Sequence, residues 1–242
     1  SAEMIKLASN AFLATKISFI NEIANVCEEV GADVGEVAAG MGLDARIGAS
    51  FLRAGIGYGG SCFPKDVSAL KMLAGNTGYH FQLLTAVIEV NELQKRRVVS
   101  KLQKHLGSLI GKRIALLGLA FKPDTDDMRE ASSLVLAARL QGEGAEVVAY
   151  DPVAAERAGQ MLDSVEMAPS ALAALEGADA AVLVTEWGEF ATLDWTEAAA
   201  RMARALIVDG RNFLDPQALA AAGFEYEGIG KTAIEPKVGE PS

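Results

Sequence analysis

The 242 residues carry 22 Lys and Arg against 32 Asp and Glu, a formal net charge of −10, and half of them are apolar. An acidic chain with no basic cluster is not expected to bind nucleic acid. Its apolar runs, such as the one around Ile114 to Leu117, are too short or too interrupted to span a membrane. The length suffices for two modest domains. Two cysteines far apart, neither in a CxxC nor a Cys/His array, argue against a disulfide framework or a zinc site. Ser1-Ala2-Glu3 opens straight into a helical pattern, without the basic and apolar segments of a signal peptide. A reducing cytoplasm is the expected compartment.

Ser1 to about Val30 has the periodicity of one long helix, ended by Gly31, and Asp33 starts a short second helix from Val34 to about Met41. Lys6, Asn10, Leu13, Ile17, Ile20, Ala24 and Cys27 share one face at about 100° per residue. That stripe is apolar except at its head, where Lys6 and Asn10 stand four apart and so side by side. A Lys and an Asn heading a buried face need partners. Read alone, Lys6 equally fits a side chain that snorkels out of the helix start. Cys27, further along the stripe, reads as core filler.

Residues 43 to 60 read as loop and short helix, with Arg46 and Arg53 flanking Phe51. The chemistry concentrates in the next stretch, Gly55-Ile56-Gly57-Tyr58-Gly59-Gly60-Ser61-Cys62-Phe63-Pro64-Lys65-Asp66. Its glycines make a backbone that turns sharply and approaches a ligand closely. Pro64 fits the first turn of a helix, where its missing N–H costs nothing. Cys62 then lies at or just before a helix N-terminus, where the unpaired N–H groups and the helix dipole favour a thiolate. Asp66 follows one turn on. Together these residues suit covalent chemistry on a ligand held by backbone; read alone, Cys62 also fits a small core residue.

That helix ends near Gly75-Asn76-Thr77-Gly78. Phe81 to about Leu106 is a second long helix, with Leu83, Leu84, Val87, Ile88, Val90, Leu93, Val98 and Val99 as a broad apolar face. His80 and His105, at its two ends, have no ligand-like partners nearby in sequence and are assigned surface or capping roles. A boundary falls at Gly107-Ser108 to Gly111, followed by βα alternation, the signature of a parallel sheet covered by helices. Strands are expected at Arg113 to Leu117, Glu146 to Tyr150, Ala180 to Thr185, Ala205 to Asp209 and Phe224 to Gly228. Helices are expected at about Ser133 to Gln141, Ala154 to Leu162, Pro169 to Leu175, Thr196 to Arg204 and Pro216 to Ala222.

The first strand runs into Gly118-Leu119-Ala120-Phe121-Lys122-Pro123 and not into GxGxxG, so a pyrophosphate cradle is not encoded there. Ligands should still sit at the C-terminal strand ends, where Phe121-Lys122 and Asp209-Gly210-Arg211 lie. Lys122 and Arg211 suit a phosphate clamp, and equally fit two loop cations near the surface. The expected fold is α/β: a helical central domain over residues 1–107 with a long connecting helix, a Rossmann-like parallel-sheet domain over 108–230, and a flexible tail over 231–242.

Arg46-Ile47-Gly48, Phe51-Leu52 and Gly55 to Asp66 together resemble the active-site segment of the UDP-glucose 6-dehydrogenase family. The whole chain is similar, in order, to that family's middle and C-terminal parts. The resemblance implies an NAD-dependent four-electron oxidation of UDP-glucose to UDP-glucuronate, through a thiohemiacetal and a thioester on Cys62. It implies that Lys6 and Asn10 hydrogen-bond the reacting oxygen and that Asp66 orients or deprotonates water. Phe51, Arg53, Gly55, Gly57, Tyr58 and Gly59 would wrap the sugar nucleotide, and Arg46 would reach substrate in a neighbouring subunit. Phe121, Lys122 and Arg211 fall to the UDP-sugar, and Lys65 and Arg129 to NAD. Glu186-Trp187 matches a family motif with a structural role. A homodimer or higher homo-oligomer is implied, with the second long helix at its contact. Family members begin with a GxGxxG domain that binds NAD and adds a catalytic carboxylate. No such stretch occurs in these 242 residues, which therefore read as a fragment expected not to turn over alone. Two alternatives stand beside this reading: a sister dehydrogenase acting on GDP-mannose or a UDP-N-acetyl sugar, and a non-catalytic sugar-nucleotide-binding or dimerisation module.

Overall fold

A computed structural model describes residues 1–236 of the chain. Four helices come first: α1 (Ala2–Val30), α2 (Val34–Gly42), α3 (Phe63–Asn76) and α4 (Gln82–Leu106). A regular alternation follows: β1 (Arg113–Leu117), α5 (Ser132–Gly142), β2 (Glu146–Tyr150), α6 (Ala155–Gly159), β3 (Glu166–Met167), α7 (Ala171–Leu175), β4 (Ala180–Leu183), α8 (Gly188–Ala191), α9 (Trp195–Arg201), β5 (Leu206–Asp209), α10 (Pro216–Ala221) and β6 (Glu225–Gly228). The six strands form one all-parallel sheet in the order β3-β2-β1-β4-β5-β6. That order is the doubly wound one, with its switch point between β1 and β4.

Local chemistry explains where the elements start and stop. The Asp33 carboxylate caps α2 by accepting from Gly35 and Glu36, and α1 ends at Gly31 in the left-handed region, φ 74°. Asp215 caps α10 in the same way, with Pro216 in its first turn. The central strands β1, β4 and β5 are buried on both faces, as the interior of a parallel sheet requires. Ile114 and Leu116 of β1 join one core and Ala115 and Leu117 the other, the two-residue period of a strand. The first of these cores also contains Ile20, Ala24 and Cys27 of α1, Val34 of α2, and Val98 and Leu102 of α4. Helical half and sheet thus share one hydrophobic interior. A smaller core joins Leu7, Ala11 and Ala14 of α1 to Val67 and Leu70 of α3 and Val87 of α4.

Several expectations need correction. The buried stripe of α1 runs through Leu7, Ala11, Ala14, Ser18 and Asn21 before reaching Ala24 and Cys27. Its N-terminal part is turned by one residue from the expected face, because α3 and α4 pack against small residues there. On α4, Leu83 and Leu93 are exposed, and the buried line Leu84, Val87, Asn91, Gln94, Val98 contains two carboxamides. The two-residue β3 and four-residue α8 were not expected; neither is long enough to leave a periodicity. Of the expected tail, residues 237–242 lie outside the described residues, while Ile234 bridges back to Tyr226.

His105 is the largest correction. Its ring lies between Glu225, at 3.5 Å, and Glu227, inside an ion cluster that ties the helical half to β6. Lys101, 5% exposed, is the centre: its ammonium reaches Glu28 of α1 at 2.7 Å and Glu227 of β6 at 2.9 Å. Burial works to raise the Glu28 carboxyl, but Lys101, the Gly230 N–H and Arg97 outweigh it and hold the group below its ordinary 4.5. Burial acts the same way on Glu227, and Lys101, His105 and Lys104 again hold it low. A carboxyl whose folded value is depressed adds stability that is fully present above the unfolded value and lost as pH falls through the folded one. Acid unfolding of this chain is therefore expected to begin below about pH 4.5. Lys101→Met, which takes from Glu28 and Glu227 the ammonium they share and leaves them to Arg97 and Gly230 and to Lys104 and His105, should cost about 1–3 kcal/mol in urea unfolding at pH 7 and shift the acid limb to higher pH.

Candidate functional site

The loop Gly55–Gly60 lies between the two halves, and carboxamides from the helices hold its backbone. Asn21 Oδ1 accepts the Gly55 N–H at 2.9 Å and Gln94 Nε2 donates to the Gly55 carbonyl at 3.0 Å. Asn91 grips the next turn at both ends: its Oδ1 accepts the Tyr58 N–H at 2.8 Å and its Nδ2 donates to the Tyr58 carbonyl at 3.0 Å. These side chains do for an irregular loop what a neighbouring strand does for a strand, satisfying buried backbone groups. Gly57, at φ 98°, has no room for a Cβ, which would meet Asn91 Oδ1 at 2.7 Å.

The sheet closes on the other side of the loop. The Ile56 N–H donates to the Gly210 carbonyl at 2.8 Å and the Gly60 N–H to the Arg129 carbonyl at 3.0 Å. A Cβ on Gly59 would overlap the Glu130 carbonyl, and one on Gly60 would meet the Phe121 ring at 2.7 Å. Arg211 donates to the carbonyls of Val184 at 2.6 Å and Gly57 at 3.2 Å, and pairs with Glu186 at 3.4 Å. Burial pushes the Arg211 guanidinium down, while Glu186 and Asp209 act to raise it. Two buried carboxylates at strand ends fix the loops that carry these side chains. Asp151, after β2, accepts from the N–H groups of Leu119 and Ala120 and from the Trp187 indole. Asp209, ending β5, accepts from Arg211, Phe213 and Leu214 N–H groups and the Tyr226 hydroxyl.

At the far end of the loop, Cys62 is exposed and stands at the N-cap of α3. Its sulfur lies 3.8 Å from Ser61 Oγ. Lys6 and Asn10 do come together, and the residue that joins them is Asp66. Asn10 Nδ2 donates to Asp66 Oδ2 at 2.6 Å and the Lys6 ammonium lies 3.3 Å from the same oxygen. Asp66 itself is buried. Its carboxyl is held below its ordinary value chiefly by the Asn10 amide, against burial and with help from Lys6 and Lys65.

Between loop and strand ends lies a cleft of ≈ 760 Å³, in the usual range for small-molecule sites. Of the expected residues, Phe51, Arg53, Gly55, Gly57, Tyr58 and Gly59 line it from the helical half, and Phe121, Lys122 and Arg211 from the sheet. Phe63 stands edge-on to both Phe51 and Tyr58, and the Lys122 ammonium lies 5.5 Å from the Phe121 ring centre. Burial, then Glu92, pushes the Tyr58 phenol up to about 12. Phe51 keeps a left-handed backbone, φ 65°, rare for an aromatic residue. Arg46 and Lys65 are exposed and do not line the cleft; Arg46 pairs with Asp44 at 2.6 Å. Arg129 pairs with Asp127, whose carboxyl it lowers to about 2. Asn21, Asn212, Phe213 and Lys231 also line the cleft and escaped the sequence reading, as did Asn91 and Gln94 behind the loop; Glu186, expected to have a structural role only, lines it too. The available signal was a carboxamide recurring on an otherwise apolar helix face.

The sheet does not offer a dinucleotide cradle after β1. The Leu119 and Ala120 N–H groups that would face a pyrophosphate are taken by Asp151, and a Cβ on Gly118 would meet Thr185 at 2.5 Å. Among the described residues no group of His, Cys, Asp or Glu is placed to hold a metal ion, and no helix is long and apolar enough to cross a membrane.

The sequence matches the UDP-glucose/GDP-mannose dehydrogenase family's central domain over residues 1–93 and its UDP binding domain over residues 115–216. The chain belongs to that family. It is 52% identical over 237 residues to UDP-glucose 6-dehydrogenase YwqF of Bacillus subtilis, covering 98% of this chain and 54% of that one. It is 50% identical over 237 residues to a UDP-glucose 6-dehydrogenase of Pseudomonas aeruginosa, covering 95% of this chain and 52% of that one. Among solved structures, a UDP-glucose dehydrogenase from Pyrobaculum islandicum superposes with a TM-score of 0.85 at 38% identity, over 95% of this chain and 51% of the other. The chain thus spans about half the length of the curated relatives it matches.

If the carboxamides hold the loop, Asn91→Leu leaves the buried Tyr58 N–H and carbonyl without their side-chain partner. It should cost about 1–3 kcal/mol in chemical unfolding and raise amide exchange at Tyr58. Gly59→Ala should cost about 1–3 kcal/mol by overpacking against the Glu130 carbonyl, measured the same way.

Proposed function

We propose that this chain is the central and UDP-sugar-binding part of a UDP-glucose 6-dehydrogenase that converts UDP-glucose to UDP-glucuronate with two NAD per turnover. The observation that carries the reading is one loop, Gly55 to Cys62, running from a cleft of nucleotide-sugar size to an exposed thiol at a helix N-terminus. Beside that thiol's helix stands the Lys6–Asn10–Asp66 group. The likeness to relatives named UDP-glucose 6-dehydrogenase supports glucose as the sugar.

The residues present account for the carbon chemistry. The sugar's C6 alcohol, oxidised to the aldehyde, is attacked by the Cys62 sulfur, giving a thiohemiacetal whose oxygen carries the new charge. Loss of a second hydride leaves a thioester; water adds, the C–S bond breaks, and the carboxylate and free thiol remain. Lys6 and the second amide hydrogen of Asn10 stabilise the oxyanion, where such donors supply about 3–4 kcal/mol each. Asp66, kept ionised by Asn10 and Lys6, orients the attacking water. Lys122 and Arg211 hold the pyrophosphate, the guanidinium by a fork that Lys lacks. Bound NAD would supply the hydride acceptor; Lys65 and Arg129 would hold only an edge of it, since the described residues form no dinucleotide cradle after β1. Arg46, turned outward, suits a contact across a homodimer or higher oligomer, and residues 1–107 and 108–230 suit a helical part and a sheet part that share one core.

Two outcomes are expected. In the full-length enzyme, Cys62→Ser should abolish uronate formation, followed by product chromatography; normal steady-state uronate would refute the thioester route. In this chain, UDP titration should show binding that falls at least about tenfold on changing Lys122 and Arg211 together to Ala, since charge-assisted bonds are worth roughly 1.5–3 kcal/mol; undiminished affinity would remove them from the phosphate site. A full-length enzyme preferring GDP-mannose or a UDP-N-acetyl sugar over UDP-glucose would select the sister reading.

A further inference from the structure

Lys16 is half-buried on α1. Its ammonium donates to two successive carbonyls of the turn that carries Arg46, Ile47 O at 2.9 Å and Gly48 O at 3.2 Å. A cation over the open carbonyls of a turn closes it as a basic side chain closes a helix C-terminus. The turn is otherwise built from its own atoms. The Asp44 carbonyl accepts the Ile47 and Gly48 N–H groups, the Asp44 carboxylate accepts the Arg46 N–H, and Gly48 takes φ 67°. Among the described residues, 45–50 make no hydrogen bond beyond their own segment, 44–52, other than the two from Lys16. Packing adds little hold, since Leu43 and Ile47 are exposed. The Arg46 guanidinium is gripped by Asp44, through Nε at 3.0 Å and a terminal nitrogen at 2.6 Å. Its direction is therefore the direction of the turn. An exposed turn with one tie to the rest of the fold samples many directions once that tie is cut, and a ligand contact made from it weakens in proportion to the fraction of molecules still in the right one.

We infer that Lys16 is a positioning residue for Arg46: by holding the Ile47 and Gly48 carbonyls it fixes the direction in which Arg46 leaves the chain, and so whether Arg46 reaches the substrate of a neighbouring copy. The inference rests on the cross-subunit contact proposed above for Arg46 and deepens it by naming what sets that contact. The test uses the full-length enzyme, with KM for UDP-glucose and kcat measured for Lys16→Met, Lys16→Arg, Arg46→Ala and the double variant Lys16→Met with Arg46→Ala. Lys16→Met keeps most of the side chain's length and removes the donor. Its KM should rise about tenfold with kcat unchanged, because losing one charge-assisted bond shifts a two-state turn by about that factor. Lys16→Arg, which also donates to two carbonyls, should bring KM back to within about twofold. Lys16→Met should add nothing to Arg46→Ala, since both remove the same contact. An unchanged KM in Lys16→Met while Arg46→Ala raises it overturns the inference, as do effects of the two substitutions that multiply. A fall in kcat as large as the rise in KM marks a general disturbance and overturns it too. An Arg46→Ala enzyme with unchanged KM overturns instead the cross-subunit contact beneath the inference. Should Lys16→Met not fold, backbone order in the unaltered chain decides. Nitrogen-15 relaxation should give order parameters of about 0.85 over residues 45–48, the value of rigid backbone, and values below about 0.6 there, the mark of an untied turn, overturn the inference.

Discussion

The structure depends on a six-residue stretch of backbone that must touch two bodies at once. Gly55 to Gly60 lies with helices on one side and strand ends on the other, and neither side leaves room for side chains at its glycines. Such a stretch cannot use the ladder of a sheet or the repeat of a helix for its polar groups, and burying them unpaired costs several times what a made bond returns. Asn21, Asn91 and Gln94 answer from one side, and Arg211 with the Gly210 and Arg129 carbonyls from the other. The loop is therefore rigid because it is the joint of the molecule. Whatever lies in the cleft meets a surface whose shape both halves specify.

Charge follows the same division. The chain is strongly acidic, yet the cleft collects Arg53, Lys122, Arg211 and Lys231. Arg211 is the most constrained of them, tied to Val184, Gly57 and Glu186. Away from the cleft the acidic excess is put to structural use. Glu28 and Glu227 meet over Lys101 and lock α1 and α4 to β6, so the orientation of the halves, and with it the width of the cleft, is fixed by a buried charge cluster as well as by the shared core. Isolated buried pairs contribute little net stability; here the pairs join elements distant in the chain and so select one docking over others.

Much of this was legible in the residues. The long helices, five of six strands and the parallel class follow from periodicities of 3.6 and from short apolar runs separated by breakers. The glycine run before Cys62-Phe63-Pro64 marks a close approach of backbone. What stayed hidden was hidden for physical reasons. His105 reads as a terminal surface residue because its partners, Glu225 and Glu227, are more than a hundred residues away. Asn91 and Gln94 read as breaks in an apolar face because the groups they satisfy belong to a loop that no local pattern places beside them. The rotation of the α1 stripe has the same origin: Ala11, Ala14 and Ser18 carry little hydrophobic signal, yet small residues are what a closely packed helix must present.

The strand order is that of a dinucleotide fold, and a single carboxylate separates the two uses. In a dinucleotide domain the N–H groups after β1 face a pyrophosphate, and the acidic residue ending β2 turns outward to a ribose. Here Asp151 ends β2 and turns inward, accepting the Leu119 and Ala120 N–H groups and the Trp187 indole. The protein thereby supplies its own anion at the point where the fold would take one from a ligand. With those N–H groups closed, an anionic ligand has to be met by side chains beyond the strand ends. The side chains at that level are Lys122 and Arg211, which line the cleft across from the glycine loop of the helical half. The topology is thus shared with a dinucleotide domain, while the charge that a ligand would bring there is already built into the chain.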